Sequence, residues 1–131
     1  MEEKPKIIVT GGLGYIGSHC AVELISNGYG VVLVDDLSNS SKKVLYSLES
    51  ITNTNIEFEE IDLKNEKLVK NLFLKHNNVS GLIHFAASKA VGESMLNPLL
   101  YYQNNISSLV NVLNEIKNLK KSFNFIFSSS C

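Results

Sequence analysis

The sequence predicts an α/β protein: a doubly wound parallel sheet of five strands with helices on both faces. Three observations predict it. Short runs rich in Val and Ile alternate five times with longer amphipathic stretches, the pattern of parallel strands joined by crossover helices. A glycine cluster follows the first apolar run directly, and an aspartate closes the second.

Residues 6–10 (Lys-Ile-Ile-Val-Thr) form a continuous β-branched run, as expected of a strand buried on both faces. Residues 15–27 place apolar side chains at Ile16, Cys20, Val22, Leu24 and Ile25, which suits a helix, and Gly28 is expected as its left-handed cap. Residues 31–35 (Val-Val-Leu-Val-Asp) read as the second strand. Polar residues 36–41 form a loop, and Val44, Leu45, Leu48 and Ile51 make the next helical stripe. Residues 56–61 alternate Ile-Glu-Phe-Glu-Glu-Ile, a strand with one wetter face that belongs near a sheet edge. Asp62 or Asn65 is the expected cap of a helix whose stripe is Leu68, Val69, Leu72 and Phe73.

Residues 81–85 (Gly-Leu-Ile-His-Phe) are the fourth strand, followed by a loop over 86–96. Asn97-Pro98 marks a helix start, with Asn as cap and Pro in the first turn. The stripe assigned to that helix is Leu100, Val110, Leu113 and Ile116. Residues 123–127 (Phe-Asn-Phe-Ile-Phe) are the fifth strand. In the Rossmann arrangement these strands take the order 3-2-1-4-5, and ligands bind beyond the carboxyl ends near the switch between strands one and four.

The 131 residues suit one domain, and the whole span 1–131 is read as a nucleotide-binding domain. Net charge is −1 and no basic block is present, which argues against nucleic acid. No apolar run reaches the roughly 18 residues of a membrane span, and the charged start Met-Glu-Glu-Lys-Pro-Lys lacks the apolar core of a signal peptide. Cys20 and Cys131 make no disulfide framework. His19, His76 and His84 share no cluster, so no metal site is expected, and His84 is expected to fill the sheet interior. A reduced, cytoplasmic setting is the default expectation.

The chemistry sits in the glycine turn, residues 10–17 (Thr-Gly-Gly-Leu-Gly-Tyr-Ile-Gly). Gly11 or Gly12 permits a sharp turn with positive φ. Gly14 lets backbone amides approach a pyrophosphate, and Gly17 lets the helix pack close to the sheet. The helix N-terminus then offers free N–H groups and partial positive charge to an anion. No Lys-Ser or Lys-Thr follows, so the turn is not a Walker loop. Asp35 lies about 20 residues further on, where a carboxylate holds an adenosine ribose and repels a 2′-phosphate. All twelve cationic side chains are lysine, so no arginine is present to receive that phosphate, and NAD is favoured over NADP.

Three stretches resemble the extended short-chain dehydrogenase/reductase family: Val9-Thr-Gly-Gly-Leu-Gly-Tyr-Ile-Gly-Ser-His19, His84-Phe-Ala-Ala-Ser-Lys-Ala-Val-Gly-Glu-Ser94 and Phe125-Ile-Phe-Ser-Ser-Ser130, with Tyr101-Tyr-Gln-Asn-Asn105 as a fourth. The Lys-Ala-Val-Gly-Glu-Ser string points to the UDP-sugar 4-epimerase branch. That resemblance implies bound NAD, a UDP-sugar substrate, interconversion of UDP-galactose and UDP-glucose through a 4-keto sugar, and a homodimer through the helix starting near Pro98. A nucleotide-sugar 4,6-dehydratase or decarboxylase, or a non-catalytic NAD-binding module, is the alternative.

The resemblance also implies residue roles. Tyr15 and Ile16 donate amides to the pyrophosphate. Asp35 holds the adenosine ribose, with Asn39 and Ser40 beside it. Asp62 and Leu63 flank the adenine. Phe85, Ala86 and Ala87 pass under the cofactor, and Lys89 reaches the nicotinamide ribose. Asn105 faces the cofactor, whereas Asn104 sits on the dimer-facing helix. Ser128 lies by the nicotinamide, and Ser130 is the catalytic serine that meets the sugar 4-hydroxyl. Glu93 and Ser94 brace the loop. Asp36 stands where relatives often carry Asn, and Ala87 where they often carry Gly.

The family's base is the Tyr of a Tyr-x-x-x-Lys pair. Four residues beyond Tyr15, Tyr29, Tyr46, Tyr101 and Tyr102 stand His19, Leu33, Ser50, Asn105 and Ile106, so the pair is absent from these residues. The resemblance thus implies a cofactor cradle that is inactive alone, with further strands and a substrate domain absent. It also implies that Phe123, Phe125 and Phe127 are partly uncovered on one side.

Overall fold

A computed structural model of the chain describes residues 4–86 and 96–128. Five strands form one parallel sheet in the order β3-β2-β1-β4-β5. They are β1 (Lys6–Thr10), β2 (Gly30–Asp35), β3 (Glu57–Glu60), β4 (Gly81–His84) and β5 (Asn124–Phe127). This is the Rossmann-type order read from the sequence, with β3 at one edge.

The sheet divides the apolar residues by strand alternation. Ile8, Val32, Val34 and Leu82 face one layer, where they meet Val69, Leu72, Phe73 and Val112. Those partners come from α3 (Glu66–Lys75) and from a long helical segment before β5. Val9, Val31 and Leu33 face the other layer and meet Ala21, Leu45 and Leu48 from α1 (Tyr15–Ser26) and α2 (Lys42–Thr52). The helix ends have local causes. Gly28 takes φ +89 just beyond α1, and Asn53 caps α2 at φ +50. Asn65, not Asp62, caps α3: its side chain accepts from the Leu68 amide at 3.2 Å. Asp62 instead accepts from the Lys64 amide at 3.0 Å.

The segment before β5 is α4 (Pro98–Tyr102), a π-helical turn (Gln103–Ser107) and α5 (Ser108–Asn118). The backbone stays right-handed through both junctions. Ser108 and Val112 are buried, whereas Val110 and Leu113, assigned to the apolar stripe from the sequence, are exposed. Ile51 and Leu68 likewise leave the stripes of α2 and α3 for solvent.

At β5, Phe127 is half exposed, in line with the expectation, whereas Phe123 and Phe125 are partly buried and pack against the α3 and α5 layer. The exposed side chains are Ile126 and Phe127. Alternation sends Ile126 to the opposite face of the strand from Phe125.

The β3 edge is closed to further pairing by charge. Lys6 meets Glu57 at 2.6 Å, and Glu59 receives Lys75 at 2.6 Å and His76 at 2.9 Å. Burial pushes the Glu59 carboxyl up, but the hydrogen bonds from Lys75 and His76 outweigh it and hold it below the usual carboxylate range. Among the described residues, no helix is long and apolar enough to cross a membrane and no cluster of metal-ligand side chains occurs.

His84 is buried between β1 and the ring of Phe127, whose centroid lies 6.0 Å away. Its Nδ1 is 2.8 Å from the Thr10 hydroxyl oxygen. That oxygen also accepts from the amides of Phe85 at 3.1 Å and Ala86 at 3.3 Å. A hydroxyl has two acceptor positions and one proton. The two amides take the acceptor positions, so the proton goes to His84 Nδ1, and the neutral ring carries its own proton on Nε2. Burial pushes the imidazole pKa down to about 4. An unfolded histidine titrates near 6.5, so the unfolded chain takes up the proton first. This contribution to stability is complete above about pH 6.5 and declines as pH falls toward about 4. Urea unfolding of the wild type is expected to show that decline, up to about 3 kcal/mol. In His84→Gln that part of the pH dependence should vanish; an unchanged profile would contradict the neutral assignment.

Candidate functional site

A crevice of about 430 Å³ opens beyond the carboxyl ends of the first four strands. Each strand hands one segment to its wall. The turn after β1 brings Gly11 and Gly14, and the first turn of α1 brings Tyr15, Ile16 and Gly17. The end of β2 and its loop supply Asp35, Asp36, Ser38, Asn39 and Ser40. Ile61, Asp62, Leu63 and Lys64 follow β3, and Phe85 and Ala86 follow β4.

The glycine turn is held by close backbone approach. Gly11 is the residue with positive φ, +65, and a Cβ there would come within 2.9 Å of the Phe85 carbonyl carbon. Gly12 packs on Leu33, where a Cβ would meet that side chain at 2.9 Å. A Cβ on Gly17 would collide with the Gly11 carbonyl oxygen. Gly14 is the N-cap of α1, and its amide donates to the Gly11 carbonyl at 3.1 Å. The first-turn amides of α1 lack intrahelical acceptors and stand at the crevice wall.

Asp35 joins two walls. One oxygen accepts from the Leu13 amide at 3.1 Å, across in the glycine turn. The other accepts from the Leu37 amide at 2.9 Å and the Ser40 hydroxyl at 2.8 Å. The Leu37 bond helps hold a non-glycine residue at φ +63. Asp36 accepts from the Ser38 amide at 3.0 Å and hydroxyl at 2.7 Å, closing the same loop. Among the described residues, three carboxylates, those of Asp35, Asp36 and Asp62, line the crevice with one ammonium, Lys64, whose Nζ is 3.7 Å from Asp62.

Two sequence-derived candidates among the described residues stand off this wall. Asn105 is in the π-helical turn, and Ser128 follows β5 with its amide donating to the His84 carbonyl at 3.2 Å. Ala87, Lys89, Glu93, Ser94, Ser130 and Cys131 lie outside the described residues. The sequence reading missed Val34, Ser38, Ile61, Lys64 and Ser108, which also line the crevice. Four of these are chain neighbours of residues it selected. Ser108 is not: it reaches the site through α5, whose Asn111 side chain donates to the Leu63 carbonyl at 2.9 Å.

The Gly17 contact predicts that Gly17→Ala pushes α1 off the turn. A loss of about 1–3 kcal/mol, the usual range for overpacking, is expected in urea unfolding. An unchanged midpoint would show that the helix can shift freely.

The chain matches the family model described as GDP-mannose 4,6 dehydratase over residues 8–131. It is 48% identical over 125 residues to a UDP-glucose 4-epimerase of Dictyostelium discoideum, covering 95% of this chain and 36% of that protein. The UDP-glucose 4-epimerase of Stenotrophomonas maltophila, solved with bound NAD and formylated UDP-arabinopyranose, superposes with a TM-score of 0.89 at 40% identity, covering 96% of this chain and 37% of that one. The Bifidobacterium longum enzyme, solved with NAD+ and UDP, gives a TM-score of 0.88 at 42% identity, covering 95% and 37%. The chain thus spans about a third of the length of each of these proteins. Fold, glycine turn and sequence together place the chain in the GDP-mannose 4,6 dehydratase family, where its likeness is to the UDP-glucose 4-epimerases.

Proposed function

We propose that this chain binds NAD in the crevice and is the cofactor-binding domain of a UDP-glucose 4-epimerase, the isomerase that interconverts UDP-galactose and UDP-glucose. The observation that carries the reading is the pairing, in one crevice, of the α1 N-terminus with the Asp35 carboxylate. The residues present fit the cofactor. A Cβ at Gly11 or Gly17 would disturb the turn that a pyrophosphate must approach, and the amides of Tyr15 and Ile16 supply the donors. The UDP-sugar is proposed as substrate on the same likeness.

Asp35 already receives three donors. A carboxylate offers about four acceptor positions, so holding both ribose hydroxyls requires one donor to leave. Ser40 is the one free to rotate. With Asp36 and Asp62 nearby and a single lysine among the described lining residues, a 2′-phosphate meets repulsion. NAD, when bound, would supply a reversible hydride acceptor for C4 of the sugar. The roles of Lys89 as nicotinamide-ribose ligand, of Ser128 beside the nicotinamide and of Ser130 toward the sugar hydroxyl belong to this proposal, as does that of Asn105. A 4,6-dehydratase would share the crevice, but the 48% identity to an epimerase supports the first reading.

A homodimer is part of the same reading. Leu99, Tyr102, Ile106, Val110 and Leu113 recur at helical spacing and are exposed, an apolar run of the kind that marks an interface.

Calorimetric titration of the purified chain is expected to show NAD binding at least about tenfold more tightly than NADP. Asp35→Ala should weaken NAD by about 10- to 100-fold, the range for hydrogen bonds to a charged group, and narrow the gap to NADP. A folded wild-type chain that takes up no NAD would refute the proposal. Incubating the protein with UDP-galactose, where it occurs with a Tyr-x-x-x-Lys helix, should yield UDP-glucose.

A further inference from the structure

Ser108, the first residue of α5, lines the crevice yet is only 7% exposed. Its hydroxyl has no hydrogen-bond partner among the described residues. Helical serines commonly return the hydroxyl to a carbonyl about one turn back. Ser18 does so here, to the Tyr15 carbonyl at 3.0 Å. Ser108 does not among the described residues, and a buried hydroxyl left without a partner destabilises the fold that holds it.

The location narrows what the hydroxyl meets. Asn111 is three residues further along α5 and therefore on the same face. Its side chain donates to the Leu63 carbonyl at 2.9 Å. That bond fixes α5 against the loop after β3 and places Ser108 at the Leu63 end of the crevice. Ile61 and Leu63 there offer apolar surface for a planar base, and Asp62 offers a carboxylate for an exocyclic amine. A π-helical turn, a feature frequent at functional sites, immediately precedes Ser108.

We propose that the Ser108 hydroxyl is a specificity contact for the adenine ring, satisfied by a ring nitrogen when the dinucleotide binds. The inference rests on the NAD reading above. A hydroxyl both donates and accepts, so it can meet a base edge that Asp62, an acceptor only, cannot serve alone.

The test is titration of wild type and Ser108→Ala with three probes: NAD, ADP-ribose and nicotinamide mononucleotide. Loss of one neutral hydrogen bond is expected to weaken NAD and ADP-ribose by about three- to tenfold. The mononucleotide, which lacks adenine, should show no change. The ligand-free variant should melt at the same temperature as wild type or higher, because an unpaired buried hydroxyl has been removed. That opposite movement of stability and affinity is what a purely structural serine would not produce. Unchanged affinity of the folded variant for NAD overturns the inference while leaving the NAD reading intact. Equal weakening of all three probes overturns it too, by showing a general distortion. A wild-type chain that binds none of the adenine-bearing probes removes the NAD reading and this inference together.

Discussion

The crevice depends on one steric constraint: the backbone of α1 at Gly17 lies against the Gly11 carbonyl, with no room for a side chain between them. That contact decides where α1 starts relative to β1, and so where its first-turn amides stand. Asp35 adds a second tie by accepting from the Leu13 amide in the middle of the same turn. The loop after β2 then folds around the carboxylate through Leu37 and Ser40. A residue expected to grip a ligand is thus also a brace for the loop that must receive it. In the proposed reading, ligand binding and loop conformation are coupled through one carboxylate.

The floor of the crevice is fixed from the other side by Thr10. Its hydroxyl gathers the amides of Phe85 and Ala86 and gives its proton to His84. Without it, the Phe85 amide would keep only the Thr10 carbonyl and the Ala86 amide would lose its bond to the hydroxyl. Burial keeps His84 neutral, so it can accept that proton. Each partner's protonation state follows from the others, which is what makes a small polar network tolerable inside an apolar sheet.

The long helical segment before β5 shows how little periodicity fixes when a helix is irregular. A stripe counted at regular spacing through 98–118 selects Leu100, Val110, Leu113 and Ile116. A π-helical turn interrupts the segment at Gln103–Ser107, and in the regular helix that follows it is Ser108 and Val112 that are buried. Val110 and Leu113 remain on the outside, within the exposed run that the dimer reading uses, whereas Ile116 packs against the core.

The sequence by itself determined the strands, their parallel order and the nature of the turn after β1. Buried parallel strands must be continuous apolar runs, and a βα turn with a helix packed against it must carry glycine where a Cβ would collide. Those are local requirements, so residues 6–10, 31–35 and 11–17 expose them directly. Asp35 was legible for the same reason, because its position at a strand end is enough to place it. Ser108 was not legible, nor was the packing of Phe123 and Phe125 against the α3 layer. Their environment is set by which elements lie across from them, over separations in sequence that no local pattern records. Only the tertiary structure brings the Asn111 side chain to the Leu63 carbonyl, and with it the serine to the crevice.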